Sequence, residues 1–157
     1  MTVITHARRK SNLATIIDSA GGVSVGTALA QARANMEAMR DQALKVIDAA
    51  ISTLEAIPAP TGPGDLQGRR DEAYRAATAL IDAAGPFDLF DLCRAAAGWC
   101  DLIGAIDPEQ PFDWRIVTVH ARSLRLLQAL PAEAANERAR ILDSLGEVIQ
   151  RKLAQTG

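Results

Sequence analysis

Apolar residues recur along residues 24–57 at alternating steps of three and four, the spacing of one face of an α-helix. The positions in the series are Val25, Leu29, Ala32, Met36, Met39, Ala43, Val46, Ala50, Leu54 and Ile57. Ser24 precedes them and can cap the helix by accepting hydrogen bonds from its first turn. The proline-rich stretch 58–64 ends it, because proline lacks an N–H and restricts the residue before it. This pattern predicts one helix about 50 Å long, with a continuous apolar seam.

A second helix is predicted from about Leu66 to Ala84, with small residues on its inward side. Gly85 is expected to end this helix in the left-handed conformation, and Pro86 prevents its continuation. The inward stripe consists of Ala73, Ala77, Leu80 and Ala84.

The third predicted helix begins with Asp88 as its N-cap. Asp91 places negative charge in the first turn, where the helix dipole favours it. Phe87 and Leu92 have the spacing of a hydrophobic staple across this N-terminus. Asp107-Pro108 ends the helix, whose seam contains Leu89, Leu92, Ala96, Trp99, Ile103 and Ile106.

Two further helices follow, one after Phe112-Asp113 and one from Pro131. The segment "RIVTV" has strand propensity, but the helical pattern around it predicts a helix. The inward residues are Trp114, Val117, Ala121 and Leu124 in the fourth helix, and Leu142, Leu145, Ile149 and Leu153 in the last. Helices joined by short loops pack as antiparallel neighbours. We therefore expect an all-α, up-down antiparallel bundle of four main helices and a C-terminal helix. Residues 23–157 would form one domain, preceded by an N-terminal arm or short helix at residues 1–22.

Composition supports this fold class and excludes several functions. Of 157 residues, 48% are apolar but only 4% aromatic, which favours close helix packing over a β-sandwich. Seventeen basic and 19 acidic residues leave a net charge of −2, so we expect no general attraction to nucleic acid or anionic membranes. The cluster Arg8, Arg9 and Lys10 is interpreted as a solvated arm. No apolar run approaches the 18 residues or so of a membrane span.

Candidate catalytic and metal-binding residues are few. His6 and His120 have no second ligand at helical spacing, so no metal site is predicted. Cys93 and Cys100 lie two turns apart, roughly 10 Å, which is too far for a disulfide. We interpret them as buried thiols of a reducing cytoplasm. His120 lies beside the apolar stripe of its helix and is interpreted as a boundary residue, with phosphate acceptance as the alternative. No enzyme activity and no cofactor are expected.

The segment "AAGPFDLFDLC" at residues 83–93, with "QALKVIDAAISTLEAI" before it, resembles the centre of a histidine phosphotransfer domain. This resemblance covers roughly residues 35–130 and implies a four-helix bundle. Leu89, Leu92 and Cys93 match the start of the family's later helix. Counting back from the turn, the phosphorylated histidine is replaced by Thr78, and the lysine and glycine that follow it by Ile81 and Asp82. A threonine hydroxyl without an activating base is a poor phosphate acceptor.

The spacing of four polar residues places them on the outward side of the second helix: Asp71, Arg75, Thr78 and Asp82. We interpret them as an interaction face, a degenerate phosphoacceptor site, on a non-catalytic signalling or adaptor protein. The stretch "KSNLATII…GGVSV" and the overall layout also resemble accessory proteins of bacterial chemotaxis, the CheE type. The resemblances imply a receiver domain, a histidine kinase or a second copy as partner. A structural homodimer, paired through the long first helix, is the alternative.

Overall fold

The computed structural model describes residues 21–105 and 113–156. Within these ranges the chain forms five α-helices and one 3-10 turn, and no strand. The elements are α1 (Val25–Ala56), α2 (Pro63–Ala84), the 3-10 turn (Gly85–Phe87), α3 (Phe90–Gly104), α4 (Arg115–Ala129) and α5 (Ala135–Thr156). The all-α prediction is confirmed, and "RIVTV" is helical. The arm up to residue 20, Ile106, Asp107-Pro108 and Phe112 lie outside the described residues.

The chain divides into two compact units, Met1–Ala38 and Met39–Gly157. In the first unit, the described residues include the capped start of α1. The Thr27 N–H donates to Ser24 Oγ at 3.1 Å, and the Ala28 N–H donates to the Ser24 carbonyl at 2.9 Å. The predicted cap is therefore confirmed.

The predicted apolar seam of α1 is buried only toward the C-terminal end of the helix. Val25, Leu29 and Met36 in the first unit are exposed, and so is Met39 in the second. The apolar residues recur with a period of 3.5 residues, whereas an α-helix has 3.6 residues per turn, so the apolar row drifts by about 20° per heptad around the helix. In the second half of α1, Val46 is exposed while its neighbour Ile47 is fully buried. Residues 21–39 are exposed on every side of the helix. The buried residues of α1 and of the loop after it are Ile47, Ala50, Ile51, Leu54 and Ile57.

The core of the second unit is built around α3. This helix packs against α2, α4 and α5. The predicted inward stripe of α2 is confirmed, since Ala73, Ala77, Leu80 and Ala84 are all fully buried. Such small side chains take up little space between helices. The much larger Trp99 of α3 can therefore be accommodated in the core, where it is fully buried.

The junction between α2 and α3 differs from the prediction. Gly85 has right-handed helical angles, φ −56° and ψ −48°, and the chain continues into the 3-10 turn. The left-handed residue is Asp88, with φ 58° and ψ 26°. Aspartate tolerates this region better than most non-glycine residues. Because the chain changes direction at Asp88, Leu89 lies at the N-cap position of α3. Its side chain makes no capping hydrogen bond. With Leu89 as the N-cap, Phe87 and Leu92 each lie one position before the N′ and N4 positions of a hydrophobic staple. Asp91 lies in the first turn of α3, as predicted.

The carboxylate of Asp113 is hydrogen-bonded to the first turn of α4, whose N-cap position is Trp114. This carboxylate accepts hydrogen bonds from the backbone N–H of Arg115 at 3.1 Å and from the guanidinium of the same residue. These bonds hold the pKa of Asp113 at about 2. The stripe of Trp114, Val117, Ala121 and Leu124 is buried.

The last helix begins later than predicted. Pro131 starts a turn, in which the Ala134 N–H donates to the Pro131 carbonyl at 3.1 Å, and α5 follows at Ala135. Leu142 and Leu145 are buried as expected, and Ile149 is half-buried.

An arginine of α4 holds α1 and α4 together. The guanidinium of Arg125 forms ion pairs with Asp48 and Glu55 and donates to Ser52 Oγ at 2.8 Å. The three acceptors lie one turn apart on one side of α1, so a single side chain contacts two turns of the neighbouring helix. These bonds also raise the pKa of Arg125. This side of α1 is thereby placed against α4.

Candidate interaction face on the second helix

The four polar residues predicted as an interaction face lie together on α2. Asp71, Arg75 and Asp82 are exposed, and Thr78 is half-buried. Their spacing of four, three and four residues places them in one row on the helix surface. The row lies on the side of α2 away from the buried alanine stripe. The outward placement predicted from the sequence is therefore confirmed for this row, which we call the α2 face.

The hydrogen bonds of the α2 face are local to its own helix. Arg75 Nε donates to the Asp71 carbonyl oxygen at 3.1 Å, and Gln67 Nε2 donates to Asp71 Oδ1 at 2.7 Å. Thr78 Oγ1 donates to the Tyr74 carbonyl at 3.0 Å. Within the described residues no side-chain base is hydrogen-bonded to this hydroxyl, so nothing there activates it as a nucleophile.

The two positions that follow Thr78 in the phosphotransfer pattern point in different directions. Ile81 is partly buried against the core, and its carbonyl oxygen lies 3.9 Å from Cys93 Sγ, which donates to it. Asp82 is exposed. The side chain of Ile81 is thus packed and apolar, and the carboxylate of Asp82 occupies the adjacent surface.

A groove between α1 and α2 adjoins this face. It has a volume of about 590 Å³, and Arg75 belongs to both the face and the groove. Small side chains leave it open: Ala49, Gly68, Ala76 and Ala79 are among the residues that line it. Sequence reasoning missed the groove, because its existence depends on how far apart two helices lie. Small residues on both helices were the available signal.

His120 lies in the core. The sequence-based interpretation of His120 as a boundary residue is therefore wrong. The ring is fully buried. Nδ1 is 3.2 Å from the Ile116 carbonyl oxygen, while Nε2 has no hydrogen-bond partner among the described residues. The ring meets the edge of Trp99, with centroids 5.8 Å apart and planes at 74°. Burial lowers the pKa of His120. Because the ring is fully buried, it is also shielded from any approaching phosphoryl donor.

The two cysteines, Cys93 and Cys100, are free thiols. Both are half-buried rather than fully buried. Burial raises the pKa of Cys93 and of Cys100, and the neighbouring carboxylate of Asp101 raises that of Cys100 further. Thiols with raised pKa values are weak nucleophiles and weak metal ligands at neutral pH.

Residues 21–105 and 113–156 contain no group of three or more metal-ligating side chains. In the same ranges, no helix combines the length and the apolar character needed to cross a membrane.

Comparison of the whole chain with protein-family models, with curated proteins and with solved structures finds no match.

Proposed function

We propose that this protein is a non-catalytic signalling or adaptor protein that binds a protein partner through the α2 face. The observation that carries the proposal is the position of Thr78. It lies within an outward polar row, beside an open groove, where the phosphotransfer resemblance places the phosphorylated histidine. The partner would be a receiver domain or a histidine kinase of bacterial two-component or chemotaxis signalling. The reducing cytoplasm is the compartment that suits two free thiols.

The contacts between helices support a phosphotransfer-like, up-down arrangement. Short connections join consecutive elements, at residues 57–62, 85–89 and 130–134. Arg125 brings α4 to α1, and α3 packs on both α2 and α4. Short connections favour antiparallel neighbours. In the proposed fold α1 to α4 form the four-helix bundle, and α5 packs on α3 and α4.

No stable phosphorylation is expected when the protein is mixed with a phosphorylated receiver domain, or with a histidine kinase and ATP. Thr78 lacks an activating base, and the carboxylate of Asp82 opposes the acidic pocket of a receiver. Transfer of ³²P to the chain, resolved by acid and base stability of the label, measures this. Label that appears on the protein and disappears in His120→Ala would overturn the proposal.

Reversal of two charges on the α2 face should weaken a real partner without unfolding the protein. We expect Arg75→Glu with Asp82→Arg to change the free energy of unfolding by no more than about 0.5 kcal/mol, because both side chains are exposed. Charge complementarity with the partner is lost at the same time. Binding of both proteins to a purified receiver domain and to a purified kinase, at two salt concentrations, is the measurement.

A matched control reverses one charge of each sign elsewhere. Arg122 on α4 and Asp143 on α5 are both exposed, so Arg122→Glu with Asp143→Arg leaves the net charge unchanged. This control should bind as the wild type does. Equal affinity of the α2-face variant and the control would mean that the α2 face is not a binding determinant.

A second candidate function, a structural homodimer, is favoured by the exposed apolar side chains of α1. Val25, Leu29, Met36 and Met39 are between 43% and 77% exposed. These residues follow one another at steps of four, seven and three, which are spacings of the a and d positions of a coiled coil. A second copy of the same helix would cover these side chains, and no phosphorelay link would be needed.

Light scattering tests the homodimer. If α1 pairs with a second copy, Met36→Gln with Met39→Gln should convert a dimer into a monomer at micromolar concentration. Ala34→Gln with Ala38→Gln, on the opposite side of α1, provides the control and should leave the dimer intact. A wild-type mass of one chain over the whole concentration range would exclude this function.

A further inference from the structure

A pocket of about 380 Å³ lies at the start of α3, away from the α2 face. Its walls come from the residues before and within the first turn of α3, from the end of α4 and the loop after it, from Leu44 of α1 and from Arg138 of α5. The lining residues that matter for its chemistry are Leu44, Asp88, Phe90, Leu92, Leu127 and Ala132. We call it the α3 pocket. Its volume is within the range of about 300–1,000 Å³ that is usual for binding sites.

The wall of the α3 pocket is mainly apolar, and two large side chains at it are open to solvent. Leu92 and Leu127 are buried at the wall. Phe90 is 66% exposed and Leu44 is 39% exposed. An exposed phenylalanine next to an apolar cavity is typical of a protein interaction site. Its burial by a partner would contribute favourable free energy without rearrangement of the core.

The charges at the α3 pocket leave one carboxylate uncompensated. Arg138 Nε donates to Asp91 Oδ2 at 2.6 Å, and its Nη1 donates to the carbonyl oxygens of Leu127 and Leu130, both at 2.9 Å. These bonds pair the charges of Arg138 and Asp91 with each other and hold both at the wall. The exposed carboxylate of Asp88 has no hydrogen bond or ion pair within residues 21–105 and 113–156.

The lining residues themselves carry a net negative charge. Two carboxylates, Asp88 and Asp91, line the pocket with one guanidinium, Arg138, which leaves a balance of −1. The sequence neighbours of the lining carry both signs, since Glu133 and Glu137 are exposed and so is Lys45, which follows Leu44. The guanidinium of Arg40 lies over the ring of Phe87, 5.3 Å from its centroid, and does not line the pocket. A positively charged side chain at the rim would therefore meet the carboxylate of Asp88, and the one cation of the lining, Arg138, is already paired with Asp91.

We propose that the α3 pocket binds an apolar side chain of a cationic amphipathic helix from a partner protein. The apolar wall takes a leucine or phenylalanine of the partner, and a lysine or arginine beside it pairs with Asp88. A helix is the form of partner that we propose, because an amphipathic helix lays its apolar face into an apolar groove. A peptide that binds by adding a strand would need a sheet edge, and the described ranges contain no strand. This surface is separate from the α2 face and does not depend on the phosphotransfer resemblance.

Two synthetic amphipathic peptides test the proposal. Both carry leucines at positions i, i+3, i+4 and i+7 in an alanine background; one has lysines at its polar positions and the other has glutamates. Fluorescence anisotropy of labelled peptides measures affinity at two salt concentrations, and ¹⁵N–¹H spectra of the full chain locate the site. We expect the lysine peptide to bind more weakly as salt is raised, with shifts at residues 88–92 and 127–132.

Two variants and one control separate the apolar and the charged contributions. Phe90→Ala should weaken binding of the lysine peptide about tenfold, since it removes an exposed anchor. Asp88→Asn should weaken it by up to about fivefold, and asparagine tolerates the left-handed angles of this position. Asp143→Asn removes the same charge from an exposed site on α5 and should bind as the wild type does.

A third variant fills the α3 pocket without touching the core. Ala132 is exposed at its edge, so Ala132→Trp should occupy the space, preserve the circular dichroism spectrum and abolish binding. Tighter or equal binding of the glutamate peptide, shifts confined to α2, or unchanged affinity in both Phe90→Ala and Ala132→Trp would overturn the proposal. Failure of the lysine peptide to bind at millimolar concentration would overturn it as well.

Discussion

Replacement of Trp99 by alanine is expected to lower the free energy of unfolding by about 3–5 kcal/mol. Trp99 is fully buried on α3, the helix that packs against α2, α4 and α5. Removal of the indole leaves a cavity that the surrounding helices can fill only in part, and the edge contact with His120 is lost. A typical domain is stable by about 5–15 kcal/mol in total, so this single change removes a large share.

Urea unfolding followed by circular dichroism measures this loss, since Trp99 cannot be both the probe and the mutated residue. Trp99→Phe is the matched variant. It retains a ring against His120 and removes an indole N–H that has no hydrogen-bond partner among the described residues, so its loss should be clearly smaller than that of alanine. A loss below about 1 kcal/mol for Trp99→Ala would match a surface substitution and contradict the burial of this side chain.

The second large effect is a loss of stability in weak acid that depends on His120. Burial lowers the pKa of this imidazole in the folded protein, below its usual value of about 6.5. The unfolded chain therefore binds a proton at a pH where the folded protein does not. The protonation of His120 costs no stability well above pH 6.5. As the pH falls through 6.5 the folded state loses up to about 1.4 kcal/mol per pH unit, until the folded pKa is reached.

The measurement is the free energy of unfolding between pH 7.5 and pH 5, in the wild type and in His120→Leu. Leucine keeps an apolar side chain at this fully buried position and cannot titrate. The wild-type curve should fall more steeply than that of the variant below pH 6.5. The low pKa of Asp113, about 2, keeps its ion pair with Arg115 charged throughout this window. Parallel curves for the two proteins would show that the folded state accommodates a charged His120.

Local patterns in the sequence determined which segments are helical and how most of them face. The alanine stripe of α2 and the position of Trp99 on α3 could be predicted because side chains three and four residues apart share one side of a helix. The same geometry placed Asp71, Arg75, Thr78 and Asp82 outward on α2. The Ser24 cap could also be predicted, because it involves only residues within one turn of each other.

Features that depend on distant parts of the chain were decided by the tertiary structure. Apolar spacing along α1 does not distinguish Met36, which is exposed, from Leu54, which is buried, because burial requires another helix beside that turn. The left-handed residue between α2 and α3 is Asp88 and not the predicted Gly85, since its position is set by how α3 docks on α2. His120 is buried because Trp99 of α3 packs against it. The groove beside Arg75 and the α3 pocket are spaces between helices, so only the packing of those helices creates them.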